Sequence, residues 1–315
     1  MLGSLSIVIP TYHRNDNLSI LVSFLMNELD SQSSFRTIEL IVLDNGSPEK
    51  FDAPRPISKG STYRYISTEM TLSADINILK SYEAATSDWV YVIGDSKIPV
   101  QGFIEKISSD INQYKAKIFI YQDQSTNFLD VAIDSCVGLK NKDLKFGDII
   151  LVGNSVISHE IIEQHLEISS QFVYSRSVTA ALIFLALENK KLVLFRNSRL
   201  LSKFLDKPAT YRPGLAILDC WARFNALSTL PVSEKFTRII NRLVLDNETM
   251  HSRFIFMKFC LIKIVREKTD IRRELRTIIK YRYTRSFCFS EYVLVRFLLI
   301  FSQFHYLIYR KLLNL

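Results

Sequence analysis

Short apolar runs rich in β-branched residues alternate with amphipathic helical spacing through the first half of the chain, and few folds accept that pattern. Leu5-Ser6-Ile7-Val8-Ile9-Pro10 reads as a buried strand, and residues 16–29 place Leu18, Leu21, Val22, Leu25 and Leu29 at helical spacing. Residues 38–43 and 62–67 read as strands, 73–85 as a helix, and Trp89-Val90-Tyr91-Val92-Ile93 as a further strand. A helix near 101–113 and a strand near 116–121 follow. Strands alternating with helices predict an α/β domain with a Rossmann-like, largely parallel sheet. Ligands of such sheets bind beyond the carboxyl ends of the strands.

The second half reads differently. A strand within 147–158, helices at 160–168 and 173–189, and a strand at 191–196 precede a Pro-rich break at 206–214. From about residue 215 nearly everything reads as helix. The expected organisation is an α/β domain over 1–230 and a basic, amphipathic helical extension over 231–315.

Apolar residues form 48% and charged residues 23% of the chain, which suits a globular protein rather than a disordered one. The net charge of +8 favours anionic partners. Cys136, Cys220, Cys260 and Cys288 form no CxxC pair, so neither a zinc site nor a disulfide framework is expected. Reduced thiols suit a cytoplasmic protein. The sequence enters a strand at once, without a signal-peptide pattern, and no run of about 18 residues is free of charge.

Three polar segments follow predicted strands: Pro10-Thr11-Tyr12-His13-Arg14, Asp44-Asn45-Gly46-Ser47 and Gly94-Asp95-Ser96-Lys97. At the ends of neighbouring parallel strands they would converge on one cleft. The chemistry suits a nucleotide. Asp44 can accept hydrogen bonds from a base or ribose, and Arg14 and Lys97 can neutralise phosphate. Gly46 and Gly94 permit close backbone approach. Plainer roles compete: Asn45-Gly46 as an ordinary turn, Arg14 as a loop cap, Lys97 as a solvated lysine, Asp75 as a first-turn acid favoured by the helix dipole. Trp221 fits core packing better than sugar stacking, His13 and His159 fit structural roles, and Arg212 reads equally as a phosphate clamp or a surface residue.

Ser6-Ile7-Val8-Ile9-Pro10-Thr11-Tyr12-His13-Arg14 closely resembles the opening of family-2 glycosyltransferases, S-I-V-I-P-T-Y-N-R. Val42-Leu43-Asp44-Asn45-Gly46-Ser47 is similar to their second motif. The stretch from Asn77 through Ala84, Asp88 and Trp89 to Gly94-Asp95 is similar to their third. Order and spacing match over about 110 residues. Residues 146–186 and Trp221 also faintly resemble abequosyltransferase-like enzymes of O-antigen assembly. The resemblance implies a GT-A nucleotide-sugar transferase domain and inverting, hexosyltransferase-type transfer from a nucleoside-diphosphate sugar. Pro10, Thr11, Tyr12, Arg14, Asp44, Asn45, Asn77, Lys80, Asp95, Ser96 and Lys97 would line the donor site. Asp95 would hold Mg²⁺ or Mn²⁺ on the diphosphate.

The sequence departs from that pattern in three places. Lys97 stands where the metal motif has a second acid, which speaks against a metal ion and for a built-in cation. Ile76 precedes Asn77 where an Arg is usual, leaving diphosphate charge to Lys80 or Arg14. The segment 173–187, where an acidic catalytic base is usual, contains no acid. Inverting transfer needs a group to take the acceptor proton. Glu160, beside His159 and after a strand, is the base expected by position, with Asp95 the other catalytic candidate.

Residues 263–285 hold nine Lys/Arg against three acids, a net +6. Arg296, Gln303 and Arg310 recur at seven-residue spacing within the apolar segment 291–315 and share one helical face. Basic next to amphipathic fits either an anionic membrane surface or a core helix beside a solvated one. Expected partners are a nucleoside-diphosphate sugar and a glycan or lipid-linked acceptor of O-antigen or capsule assembly, at the inner face of the cytoplasmic membrane. A catalytically degenerate relative that binds nucleotide or glycan is the alternative. A nucleic-acid partner ranks last, because no aromatic platform accompanies the basic residues.

Overall fold

The computed structural model describes residues 2–30, 35–51, 60–122, 129–140, 149, 152–173, 177–204, 227 and 229–245. The chain divides into two units, Met1–Lys207 with Ala226–Leu243 and Pro208–Asn225 with Val244–Leu315. The described residues are almost entirely those of the first. The readings of 206–214, Arg212, Trp221, 263–285 and 291–315 lie outside the described residues.

The elements run β1 (Leu2–Thr11), α1 (Asn15–Asp30), β2 (Phe35–Asp44), β3 (Ser61–Ser67), α2 (Ala74–Ala84), β4 (Trp89–Val92), β5 (Lys97–Pro99), α3 (Phe103–Gln113), β6 (Ile118–Tyr121), β7 (Val131–Ile133), a 3₁₀ turn (Cys136–Lys140), β8 (Ser155–Ser158), α4 (His159–Ser170), α5 (Val178–Glu188), β9 (Val193–Arg196), β10 (Leu201–Phe204) and α6 (Glu234–Leu245). Eight strands form one sheet in the order β3-β2-β1-β4-β8-β6-β9-β7, and β10 and β5 form a small separate pair.

The sheet is parallel from β3 to β4, as the sequence pattern predicts, but not beyond. β8 lies antiparallel between β4 and β6 because it enters the sheet from the carboxyl edge, out of the turn at 152–154. β6 pairs parallel with β9, and β7 closes the sheet antiparallel. The carboxyl ends of β1, β2, β3, β4, β6 and β9 therefore share one edge. The strands β5, β7 and β10 are too short for an alternating or sustained apolar run to be read from the sequence.

β1 is central because both of its faces are covered: Leu5, Ile7, Val8 and Ile9 are fully buried. Burying each such side chain contributes about 1.5–3 kcal/mol. Its odd-numbered residues join Leu18, Leu21, Val22 and Leu25 of α1 and Phe103, Ile104 and Ile107 of α3 in one core. On the opposite face, Ser6 donates to Glu39 at 2.8 Å and Arg64 bonds the same carboxylate at 2.6 Å. Burial pushes the Glu39 carboxyl up, but Arg64, Ser6 and Thr86 outweigh it and hold it below the usual range. This polar pin fixes the register of β1 against β2, since a one-residue slip would carry Glu39 into the apolar face.

α6 packs Phe236 edge-on against Phe184 of α5, with ring centroids 5.7 Å apart. α5 carries no acid before its last residue, Glu188, and every residue from Val178 to Leu187 is buried. No described helix is long and apolar enough to cross a membrane.

The amino edge of the sheet carries an ion cluster. Glu160, in the first turn of α4, takes Lys117 at 2.6 Å and Lys191 at 2.8 Å. Hydrogen bonds from Lys117 and then Lys191 draw its carboxyl down to about 2. The pKa is depressed on folding, so the stability it confers is fully present above about pH 4.5. That stability is lost as the pH falls toward 2. Glu160→Gln should therefore lower the melting temperature by a constant amount from pH 5 to 8, and the gap should narrow below pH 4.5. Thermal scans across pH 3–8 check this; a gap independent of pH would refute it. Gly46→Ala should cost about 1–3 kcal/mol, read by denaturant titration. Gly46 has φ +72°, and a Cβ there would lie 2.9 Å from the Met70 carbonyl carbon.

Candidate functional site

Three of the sequence motifs meet at Thr11, the last residue of β1. Register brings them there: Thr11 lies opposite Asp44, and Asp44 opposite Ser67, while the Ile93 N–H bonds Val8 C=O at 2.9 Å and carries Gly94 and Asp95 to the same edge. The Thr11 carbonyl accepts Asn45 N–H at 2.9 Å and Asn77 Nδ2 at 3.5 Å. The Thr11 hydroxyl donates to Asp95 Oδ2 at 2.8 Å. One buried threonine thus joins the first motif to the second, to α2 and to the third.

Asp95 is 7% exposed, and its second oxygen, Oδ1, takes Arg14 at 3.0 Å. Arg14 is half-exposed, so its charge stays accessible to solvent while it is anchored on Asp95. Ser96 and Lys97 are half-buried beside it. Lys97 opens β5, which pairs with β10, and its backbone N–H closes a turn onto Gly94 C=O at 3.3 Å. A Cβ placed at Gly94 would meet nothing within 4 Å, so open space borders the backbone there.

Asp44 is 2% exposed and saturated by the protein. Its Oδ1 accepts the Ser47 N–H at 3.2 Å and the Ser47 hydroxyl. Its Oδ2 accepts Tyr65 at 2.7 Å and Ser67 at 3.4 Å. Burial and then the bond to Asp44 push the Tyr65 phenol up. Four donors match the four acceptor positions of a carboxylate. The long Ser67 bond is the one a ligand hydroxyl can best replace. Tyr65 and Ser67 were missed in the sequence; their signal was parallel pairing, which sets Ser67 level with Asp44.

Asn45 is committed to the loop. Its Nδ2 donates to Leu72 C=O at 2.8 Å, and its Oδ1 accepts Leu72 N–H at 2.9 Å. It fastens the second motif to the approach to α2, which begins at the Ser73 cap. Tyr12 is 46% exposed and lies over His13, ring centroids 6.3 Å apart. His13 adopts φ +51° and donates its N–H to Ser47 Oγ at 2.8 Å, which turns the chain sharply after β1. Pro10 pairs with Leu43 one step inside the edge. Lys80 stands one helical turn past Asn77, partly buried.

Glu160 is not brought to this cluster. Ser158 pairs with Trp89, the first residue of β4, and His159 N–H bonds Asp88 C=O at 2.8 Å. This places Glu160 at the opposite edge of the sheet, bound to two lysines.

A divalent cation needs several hard oxygen ligands. Both Asp95 oxygens are engaged by Thr11 and Arg14, and a hydroxyl and an ammonium follow it. Among the described residues, no three His, Cys, Asp or Glu side chains gather to hold a metal. This donor set does not fit a divalent ion.

Residues 6–134 match the model of Glycosyl transferase family 2. The crystal structure of residues 1–349 of S. aureus TarS superposes with a TM-score of 0.54 at 10% identity, covering 88% of this chain and 80% of that one. Its complex with UDP-GlcNAc gives 0.53 at 10% identity, with 88% and 79% covered. The mannosyltransferase PcManGT from Pyrobaculum calidifontis, in complex with GDP-Man and Mn²⁺, gives 0.52 at 10% identity, with 99% and 84% covered. No curated protein sequence matches the chain. Residues 6–134 are thus a glycosyl transferase family 2 region, set in a protein with the GT-A glycosyltransferase fold.

Proposed function

We propose that this protein is an inverting glycosyltransferase that moves a hexose-type sugar from a nucleoside-diphosphate donor to a lipid-linked or growing surface glycan of the O-antigen or capsule kind. The observation that carries the reading is the junction at Thr11, which holds all three motifs of the family at the carboxyl edge of the sheet. Donor complexes of proteins with this fold, UDP-GlcNAc on TarS and GDP-Man on PcManGT, support a nucleotide-sugar donor here.

Tyr12 offers an exposed ring to stack on the base, and Asp44 with Ser67 offers the ribose an exchangeable hydrogen bond. The diphosphate lies against Arg14, Lys97 and the open backbone at Gly94. Arg14, anchored on Asp95, supplies fixed positive charge where the leaving nucleotide develops negative charge. In this reading the donor binds without a divalent ion. The basic segment 263–285 and the amphipathic segment 291–315 would hold the enzyme on an anionic membrane beside a lipid-linked acceptor.

The placement of Glu160 away from the cleft also favours a second reading, a family member that binds the donor without transferring it. Product formation by the purified protein separates the two.

UDP-, GDP-, dTDP- and CMP-sugars should be screened by thermal shift with Mn²⁺ and with EDTA. A true donor at 100 times its Kd should stabilise the fold by about 2.7 kcal/mol. The shift is expected to survive EDTA; one seen only with Mn²⁺ would overturn the metal-free reading. Arg14→Ala should weaken nucleoside-diphosphate binding about tenfold or more, measured calorimetrically in EDTA. Glu160→Gln should keep any transfer activity of the wild type, and a collapse of kcat would return the base role to Glu160.

A further inference from the structure

Gln122 immediately follows β6 at the same carboxyl edge. It is 2% exposed, and among the described residues neither its Nε2 nor its Oε1 has a hydrogen-bond partner. A buried amide left unsatisfied costs about 1–3 kcal/mol, a cost that a ligand hydroxyl bonded to it would remove.

Register locates this amide. β8 pairs Val156 with Tyr91 on one side and Ser155 with Ile120 on the other. Continuing both ladders sets Gly153 level with Gly94 and with Gln122. Two contacts agree: Tyr121 N–H bonds Asn154 C=O at 2.7 Å, and the Tyr91 hydroxyl bonds Gly153 C=O at 3.0 Å. Gly153, buried at φ +92°, lies between the other two, and a Cβ there would meet the Leu201 side chain at 2.9 Å. Tyr91 and Ile93 face one core, as do Phe119 and Tyr121. By alternation Gly94 and Gln122 both belong to the opposite face. The result is a strip about two strand spacings wide, roughly 10 Å, with open space at one end and an unmatched amide at the other.

The strip adjoins Asp95, where Arg14 and Lys97 would meet the diphosphate. The nucleotide would lie toward β1 and β2, over Tyr12 and Asp44, so the glycosyl group extends the other way, toward β8 and β6. We propose that Gly94 and Gln122 bound the subsite for the transferred sugar, and that the Gln122 amide hydrogen-bonds two of its ring hydroxyls and so selects among sugars. An amide can donate from Nε2 and accept at Oε1, which suits a pair of neighbouring hydroxyls. The inference rests on the donor reading above.

The test compares wild type with Gln122→Leu and Gln122→Met, which keep the volume and remove the polar atoms. Dissociation constants are measured for UDP, GDP and dTDP and for UDP-GlcNAc, UDP-glucose and GDP-mannose, together with melting temperatures. The expected result is weaker binding of the preferred nucleotide-sugar by about 5- to 30-fold. Its parent nucleoside diphosphate should be unaffected, and the melting temperature unchanged or raised. Equal affinities for the nucleotide-sugar in wild type and variants would overturn the proposal. So would a fall in melting temperature without any change in the sugar-to-diphosphate ratio, which would mark a structural amide bonded to buried water. Should wild type bind none of the six, the donor reading itself fails. Binding by wild type with indifferent variants removes only the role of Gln122.

Discussion

The carbonyl and hydroxyl of one residue, Thr11, hold the cleft together. Its carbonyl binds the second motif through Asn45 and α2 through Asn77, and its hydroxyl binds Asp95. These partners lie 34, 66 and 84 residues away in sequence. Such long separations are bridged only because β1 is flanked by β2 and β4 in parallel register, which brings three strand ends to one level. Loosening β1 would disperse every group that could meet a donor. This explains why so much apolar burial is concentrated on a strand that presents only two polar atoms to the site.

The electrostatics of the cleft follow from two carboxylates with different surroundings. Asp44 is enclosed by neutral donors and organises a loop. Asp95 is bound to Arg14, so its charge is balanced before any ligand arrives. In the proposed reading Arg14 and Lys97 meet the ligand, with Asp95 serving as the anchor of Arg14. A divalent ion would have to displace the guanidinium from that anchor, against the attraction of a well-placed ion pair and without a second carboxylate to compensate. A fixed guanidinium serves a diphosphate at no cost of reorganisation.

Much of this was legible in the sequence. The parallel core from β3 to β4 follows from runs such as Ile38–Leu43 and Trp89–Ile93, whose periodicity is a direct consequence of burial. The three motifs meet at one edge of the sheet, as their places after neighbouring parallel strands predict. What the sequence hid were matters of pairing. The antiparallel β8 reads like any other apolar run, since Ser155–Ser158 is buried on both faces in either direction. That reversal is what carries Glu160 to the amino edge. Asn45 sits in the expected motif, but its amide is spent on the Leu72 backbone, a contact that only the fold creates. Gln122 is one residue of an unremarkable strand end until the registers of β8 place it level with Gly94.

The two edges of the sheet obey opposite rules. At the amino edge Lys117, Lys191 and Glu160 satisfy one another at the starts of β6, β9 and α4, and this arrangement only stabilises. At the carboxyl edge the fold tolerates arrangements that stability alone would remove: a left-handed His13 and a buried amide with no partner among the described residues. Each costs of order 1–3 kcal/mol. They lie along the carboxyl edge from β1 to β6, where the proposed donor would bind. Their alignment argues for one extended ligand rather than several small ones: a nucleotide at one end, a charged bridge at the centre, and a hydroxylated ring at the other.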